Sequence, residues 1–111
     1  MTNLTRRKAL ILAAGTPLAL GLAARARAAT TDVAIQGMAF APATITIATG
    51  DSVRWTNADG APHTATFRDA GLDTGRLNRG DTGELSFDTP GTYDYVCAIH
   101  PSMRGQVIVT G

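Results

Sequence analysis

From residue 30 onward, apolar side chains recur at every second position in short runs. Val33 and Ile35 alternate with polar neighbours, as do Ile45 and Ile47, Val53 and Trp55, Leu85 and Phe87, and Val107 and Val109. His63, Ala65 and Phe67 share one face of such a run, and Tyr93, Tyr95 and Cys97 share one face of another. A period of two belongs to a strand with one buried and one solvated face. The runs are separated by Thr49-Gly50-Asp51, by Asn57-Ala58-Asp59-Gly60-Ala61-Pro62 and by Thr89-Pro90-Gly91, all rich in turn-forming residues. Short alternating strands between such turns predict an all-β fold, an antiparallel sandwich or barrel. No helical period follows residue 30. The stretch 68–83, with Gly71, Gly75, Gly80 and Gly83, has no clear pattern. A loop of that length is uncommon in a compact domain, so a short strand, a turn of helix or a mobile flap is expected there.

The beginning of the chain is different. Arg6, Arg7 and Lys8 precede an apolar run from Ala9 to Ala24, which Gly15, Thr16 and Pro17 interrupt. Ala24-Arg25-Ala26-Arg27-Ala28-Ala29 then offers small-x-small cleavage sites. A basic start, a short apolar middle and an Ala-x-Ala ending form an export signal. The apolar run is shorter than the ~20 residues of a spanning helix, so no membrane span is expected in the mature form. Residues 1–28 are read as the signal, cleaved after Ala28, with Ala26 and Ala29 as neighbouring alternatives. Residues 29–111 are read as one domain, exported to the periplasm. Thr5-Arg6-Arg7-Lys8-Ala9-Leu10 resembles a twin-arginine signal, with Ala9 where Phe is usual. An ordinary secretory signal fits as well.

That division changes the charge. The chain carries ten basic and nine acidic residues, a formal +1. Arg6, Arg7, Lys8, Arg25 and Arg27 lie in the signal, and all nine acids lie beyond it. Five basic against nine acidic residues leave the mature domain at −4. No basic patch survives to bind nucleic acid. An acidic domain is suited instead to a basic protein partner.

Candidate chemistry lies in Cys97-Ala98-Ile99-His100-Pro101-Ser102-Met103. Cys97 is the single cysteine, and His100 one of two histidines, the other being His63. An exported chain with one cysteine forms no internal disulfide, so its thiol is a liability, an intermolecular bridge, an inert core residue or a functional group. Thiolate, two imidazoles and a thioether form the donor set of a type I, or blue, copper centre. Zinc is the competing metal and would take the Cys and both His, but it would want a fourth Cys, His, Asp or Glu, or an open water position, and thioether suits it poorly. Trp55, Tyr93 and Tyr95 read first as core packing, with a phenol finding a hydrogen-bond partner.

These residues resemble the cupredoxins, the plastocyanin-like type I copper proteins, and most closely the amicyanins. The likeness runs through Phe40-Ala41-Pro42, Ile45-Thr46-Ile47, Gly50-Asp51, Val53-Arg54-Trp55-Thr56-Asn57, Pro62-His63, Gly91-Thr92-Tyr93-Asp94-Tyr95-Val96-Cys97 and His100-Pro101-Ser102-Met103-Arg104-Gly105. The short Cys-x-x-His-x-x-Met spacing is of the amicyanin type. The resemblance implies a Greek-key β-sandwich of about eight strands holding one copper ion. His63, Cys97 and His100 would be equatorial ligands and Met103 the weak axial one. The chain departs from the amicyanin pattern at Ala98-Ile99, where Thr-Pro is usual, at Ser102, where an aromatic is usual, and at Thr64, where Asn commonly follows the His. Thr64 still offers a hydroxyl to tie the two ligand loops together.

The function expected is one-electron transfer rather than catalysis, since no open coordination position, carboxylate pair or nucleophile–base pair stands out. His100 is the expected electron port, ringed by Ile99 and Pro101 and widened by Met38, Ala61 and Pro62. The expected partners are redox proteins: a c-type cytochrome, with an amine dehydrogenase among the possible donors. A monomer is expected. A periplasmic copper-delivery module and a metal-free interaction domain are the competing classes.

Overall fold

The computed structural model describes residues 28–111. The expected signal, apart from Ala28, lies outside the described residues. Nine strands follow one another: β1 (Thr30–Ile35), β2 (Phe40–Ala41), β3 (Thr44–Ala48), β4 (Ser52–Asn57), β5 (Thr66–Phe67), β6 (Leu72–Asp73), β7 (Thr82–Ser86), β8 (Gly91–Val96) and β9 (Arg104–Thr110). They form two sheets, ordered β2-β1-β4-β7 and β3-β9-β8-β5-β6. No helix occurs among the described residues. The all-β sandwich is as expected. The nine strands include three two-residue segments, β2, β5 and β6, too short to show a period.

Not every neighbour is antiparallel. β1 lies parallel to β4, pairing Val33 with Trp55, and β3 lies parallel to β9, pairing Ile45 with Val107. The chain passes from β1 and β2 in one sheet to β3 in the other and back to β4. β3 is thereby split from both of its sequence neighbours. Alternation tells which side chains face inward and carries no information on strand direction.

The inward faces meet in one core. Val33, Ile35, Val53 and Trp55 from the first sheet pack with Ile45, Ile47, Tyr95, Val107 and Val109 from the second. Trp55 lies edge-on to Tyr95 at 5.4 Å and to Phe67 at 5.8 Å, and Phe40 closes on Tyr95 at 4.6 Å. Edge-to-face contacts of this kind add to the burial of large apolar rings. The half-buried Tyr93 donates its hydroxyl to the Thr89 carbonyl at 2.6 Å, as expected for a sandwich phenol. Tyr95 does not follow that expectation: its hydroxyl and the Trp55 indole N–H have no hydrogen-bond partner among the described residues. Burial pushes the Tyr95 phenol up to about 12, so it stays neutral at ordinary pH.

The stretch 68–83 is neither helix nor loose flap. It holds β6, which pairs with β5, and then Leu77, which is buried and bridges to His63. Of the three expectations for this stretch, the short strand is the one the structure contains.

Gly105 faces Tyr95 across the β8–β9 ladder, and a Cβ there would run into the Tyr95 ring and hydroxyl. Gly105→Ala is therefore expected to destabilise the domain by about 1–3 kcal/mol through overpacking. Urea unfolding measures this, and an unchanged midpoint would contradict it.

Candidate metal centre

β8 ends at Val96 and β9 begins at Arg104, and these two residues pair. Cys97 to Met103 is therefore the hairpin loop between them. Pro101 has no amide hydrogen and restricts His100, so strand geometry cannot continue through this segment. The loop closes on itself instead. The Cys97 amide donates to the Met103 carbonyl at 3.1 Å, and the Met103 amide to the His100 carbonyl at 2.9 Å.

His63 comes from the other side of the sequence. It does not begin a strand as expected, since β5 starts only at Thr66. A two-way backbone pair with Leu77 holds it, His63 N to Leu77 O at 3.0 Å and Leu77 N to His63 O at 2.7 Å. The buried Asn57, at the end of β4, supports that segment. Its side-chain amide donates to the carbonyls of Ala61 (2.8 Å) and Leu77 (2.9 Å).

These two segments bring three of the four expected ligands together. Cys97 Sγ lies 3.8 Å from His63 Nδ1 and 3.8 Å from His100 Nδ1. All three atoms lie within 4.8 Å of one another. Bonds of roughly 2.0–2.3 Å from such donors to a common ion place trigonal ligand atoms about 3.5–4 Å apart. The donor set therefore fits one small, soft-to-borderline metal ion. His63 and Cys97 are buried, and His100 is half-buried. Met103, the fourth expected ligand, is 3% exposed at the end of the same loop, with its backbone bonded to both Cys97 and His100.

Two backbone amides, those of Thr64 and His100, are aimed at the Cys97 sulfur, each from 3.4 Å. Donors aimed at a ligand sulfur stabilise its charge and tune the metal it binds. Thr64 does more. Its hydroxyl accepts the Ala98 amide at 2.8 Å, tying the His63 segment to the ligand loop as expected. The same hydroxyl lies 2.8 Å from that of Thr66, which donates to Asp73 at 3.1 Å. Thr64 is thus the donor in its bond to Thr66, and a chain of hydrogen bonds runs from the loop to β6.

Sequence reasoning missed Asp59. Its Oδ2 lies 3.0 Å from His63 Nε2, the ring nitrogen turned away from Cys97. The Gly37 amide donates to Oδ1 at 2.8 Å and the Met38 amide to Oδ2 at 2.9 Å. These two amides, with His63 adding to them, hold the Asp59 carboxyl below its ordinary pKa. The available signal was an acid four residues before the histidine, inside a run that otherwise reads as turn chemistry. At the surface, Ile99 is 42% and Met38 45% exposed, the two large apolar side chains most open to solvent among the described residues.

Comparison with known proteins gives a consistent result. Residues 27–110 match the copper binding proteins of the plastocyanin/azurin family. The chain is 37% identical over 103 residues to amicyanin-alpha of Methylorubrum extorquens, covering 88% of this chain and 84% of that protein. It is 40% identical over 85 residues to a chloroplastic plastocyanin of Tetradesmus obliquus, covering 65% of this chain and 59% of that one. The solved structure of an oxidised point mutant of amicyanin superposes with a TM-score of 0.70 at 32% identity, over 73% of this chain and 82% of that one.

Thr64→Val removes the acceptor of the Ala98 amide while keeping the side chain's shape. A loss of about 1–2 kcal/mol is expected in urea unfolding of the metal-free protein, with Thr64→Ser recovering most of it. Equal losses in both variants would contradict the hydrogen-bond account.

Proposed function

The chain belongs to the plastocyanin/azurin family of copper-binding proteins and takes one copper, and on that footing we propose that His63, Cys97, His100 and Met103 would hold the ion in a periplasmic carrier of single electrons. The carrier takes an electron from a donor dehydrogenase or other redox protein and delivers it to a c-type cytochrome. The observation that carries the reading is the pair of Nδ1 atoms, each 3.8 Å from one buried Sγ. When bound, copper supplies the one-electron couple between Cu(II) and Cu(I).

The chain's own residues do the rest. Two backbone amides hold the Cys97 sulfur, and the hairpin closure holds the loop that carries it. A sandwich that holds its donors in one geometry through both oxidation states rearranges little at each transfer. His100 is half-buried beside the exposed Ile99 and Pro101, which makes it the port between the ion and a docked partner. Ser102, also exposed, offers less apolar area than an aromatic residue would. Small apolar docking areas suit short-lived redox complexes. The acidic balance of the mature domain favours a partner with a basic docking face. No helix among the described residues is long and apolar enough to cross a membrane, and the carrier is a monomer in this proposal. The export-signal pattern of residues 1–28 supports the periplasm as its place of work.

Adding Cu(II) to the purified mature domain is expected to give an intense visible thiolate-to-copper band that Cys97→Ser abolishes. The reduced protein is then expected to pass its electron to an oxidised c-type cytochrome in stopped-flow mixing, keeping its copper. A pale solution, or a colour that survives Cys97→Ser, would contradict the ligand set. Release of copper without electron transfer would favour the delivery module instead.

A further inference from the structure

We propose that Asp59 is the positioning residue that decides which nitrogen of His63 is offered to copper. This rests on the reading of His63 as a ligand and adds to it a residue that sets the ligand's tautomer and aim.

The argument starts from acceptors. Asp59 Oδ1 accepts the Gly37 amide, and Oδ2 accepts the Met38 amide. The same Oδ2 faces His63 Nε2 at 3.0 Å. An oxygen already accepting a backbone N–H is an acceptor toward the ring as well, so the ring nitrogen must be the donor. His63 then carries its hydrogen on Nε2. In the neutral ring Nδ1 holds the free lone pair, and Nδ1 is the atom 3.8 Å from Cys97 Sγ. The opposite tautomer would turn an N–H toward the metal position and a lone pair toward a carboxylate oxygen. Both contacts would be lost together.

The carboxylate is anchored independently of the ring. The Asp59 amide donates to Asn57 Oδ1 at 2.9 Å, and Asn57 is itself buried at the end of β4. Gly37 and Met38 are held at φ of 64° and 59° in the turn between β1 and β2. That conformation is uncommon for Met, and the two amides it aims at Asp59 account for it. Asp59 is therefore fixed from the β1–β2 turn and from β4 before it meets His63. The side chain of His63 is wholly buried and that of Asp59 is 17% exposed, so little water competes for the bond. No equivalent partner holds the outer nitrogen of His100 among the described residues. The inner ligand is oriented by the protein, and the outer one by its loop.

A carboxylate on the far nitrogen also raises the donor strength of an imidazole ligand, which favours Cu(II) over Cu(I). Losing it should weaken Cu(II) binding by about 10- to 100-fold and move the potential upward.

The test begins with the metal-free wild-type protein. Imidazole ¹⁵N NMR at neutral pH is expected to show His63 as the Nε2–H tautomer, with a slowly exchanging ring proton. Asp59→Ala is expected to give mixed tautomers, the affinity loss above and a raised potential. Asp59→Asn, which keeps one acceptor oxygen, should fall between. An Nδ1–H tautomer in the wild-type protein would overturn the proposal without any variant having to fold. So would a folded Asp59→Ala protein with unchanged tautomer, affinity and potential. A blue band that survives His63→Gly would remove the ligand reading on which the proposal stands, and the tautomer measured on metal-free protein separates that failure from the others.

Discussion

The site depends on one cross-connection, the pair of hydrogen bonds between Thr64 and the ligand hairpin. His63 and Cys97 are separated by more than thirty residues, yet their ligand atoms must meet within a few ångströms. The Thr64 amide reaches the Cys97 sulfur at 3.4 Å, and the Ala98 amide reaches the Thr64 hydroxyl at 2.8 Å. These bonds join the two segments beside the metal position and leave the ligand atoms free to bind. A polar network of this kind specifies one arrangement only if its members are satisfied. Here the Thr64 hydroxyl passes its own hydrogen on toward Thr66 and Asp73, so the chain ends on a carboxylate.

Each proposed ligand is fixed through a different means. Cys97 sits where the β8–β9 ladder gives out, and His100 and Met103 are placed by the backbone bonds that close the hairpin. His63 has no ladder of its own. It depends on Leu77 for its backbone, on Asn57 for the turn that delivers it and on Asp59 for its ring. The core beneath, with Trp55, Phe67 and Tyr95 in contact, is stiff enough to support both.

What was legible in the sequence follows from which interactions are local. Cys97, His100 and Met103 lie at spacings of three in one loop, so their sharing that loop needs no long-range knowledge. The inward faces of the longer strands follow from period two. Thr64 was legible as a hydroxyl next to a ligand. The parallel pairings of β1 with β4 and β3 with β9 were not, because alternation is blind to direction. Leu77 lay in a stretch without a period, and its partner is a single bridge to His63. Asp59 was hidden because an acid in a Gly- and Pro-containing turn has a sufficient local reason to be there. Its role appears only when the β1–β2 turn and His63 are seen to share one carboxylate.

The central claim is that the fold brings His63, Cys97 and His100 to one copper position. Crystal structures of the mature domain, metal-free and copper-loaded, test it most directly. The account predicts that His63 Nδ1, Cys97 Sγ and His100 Nδ1 hold their positions to within about 0.5 Å, with Asp59 and Thr64 bonded as described in both. A hairpin that refolds around the metal, or an ion held by other residues, would contradict it.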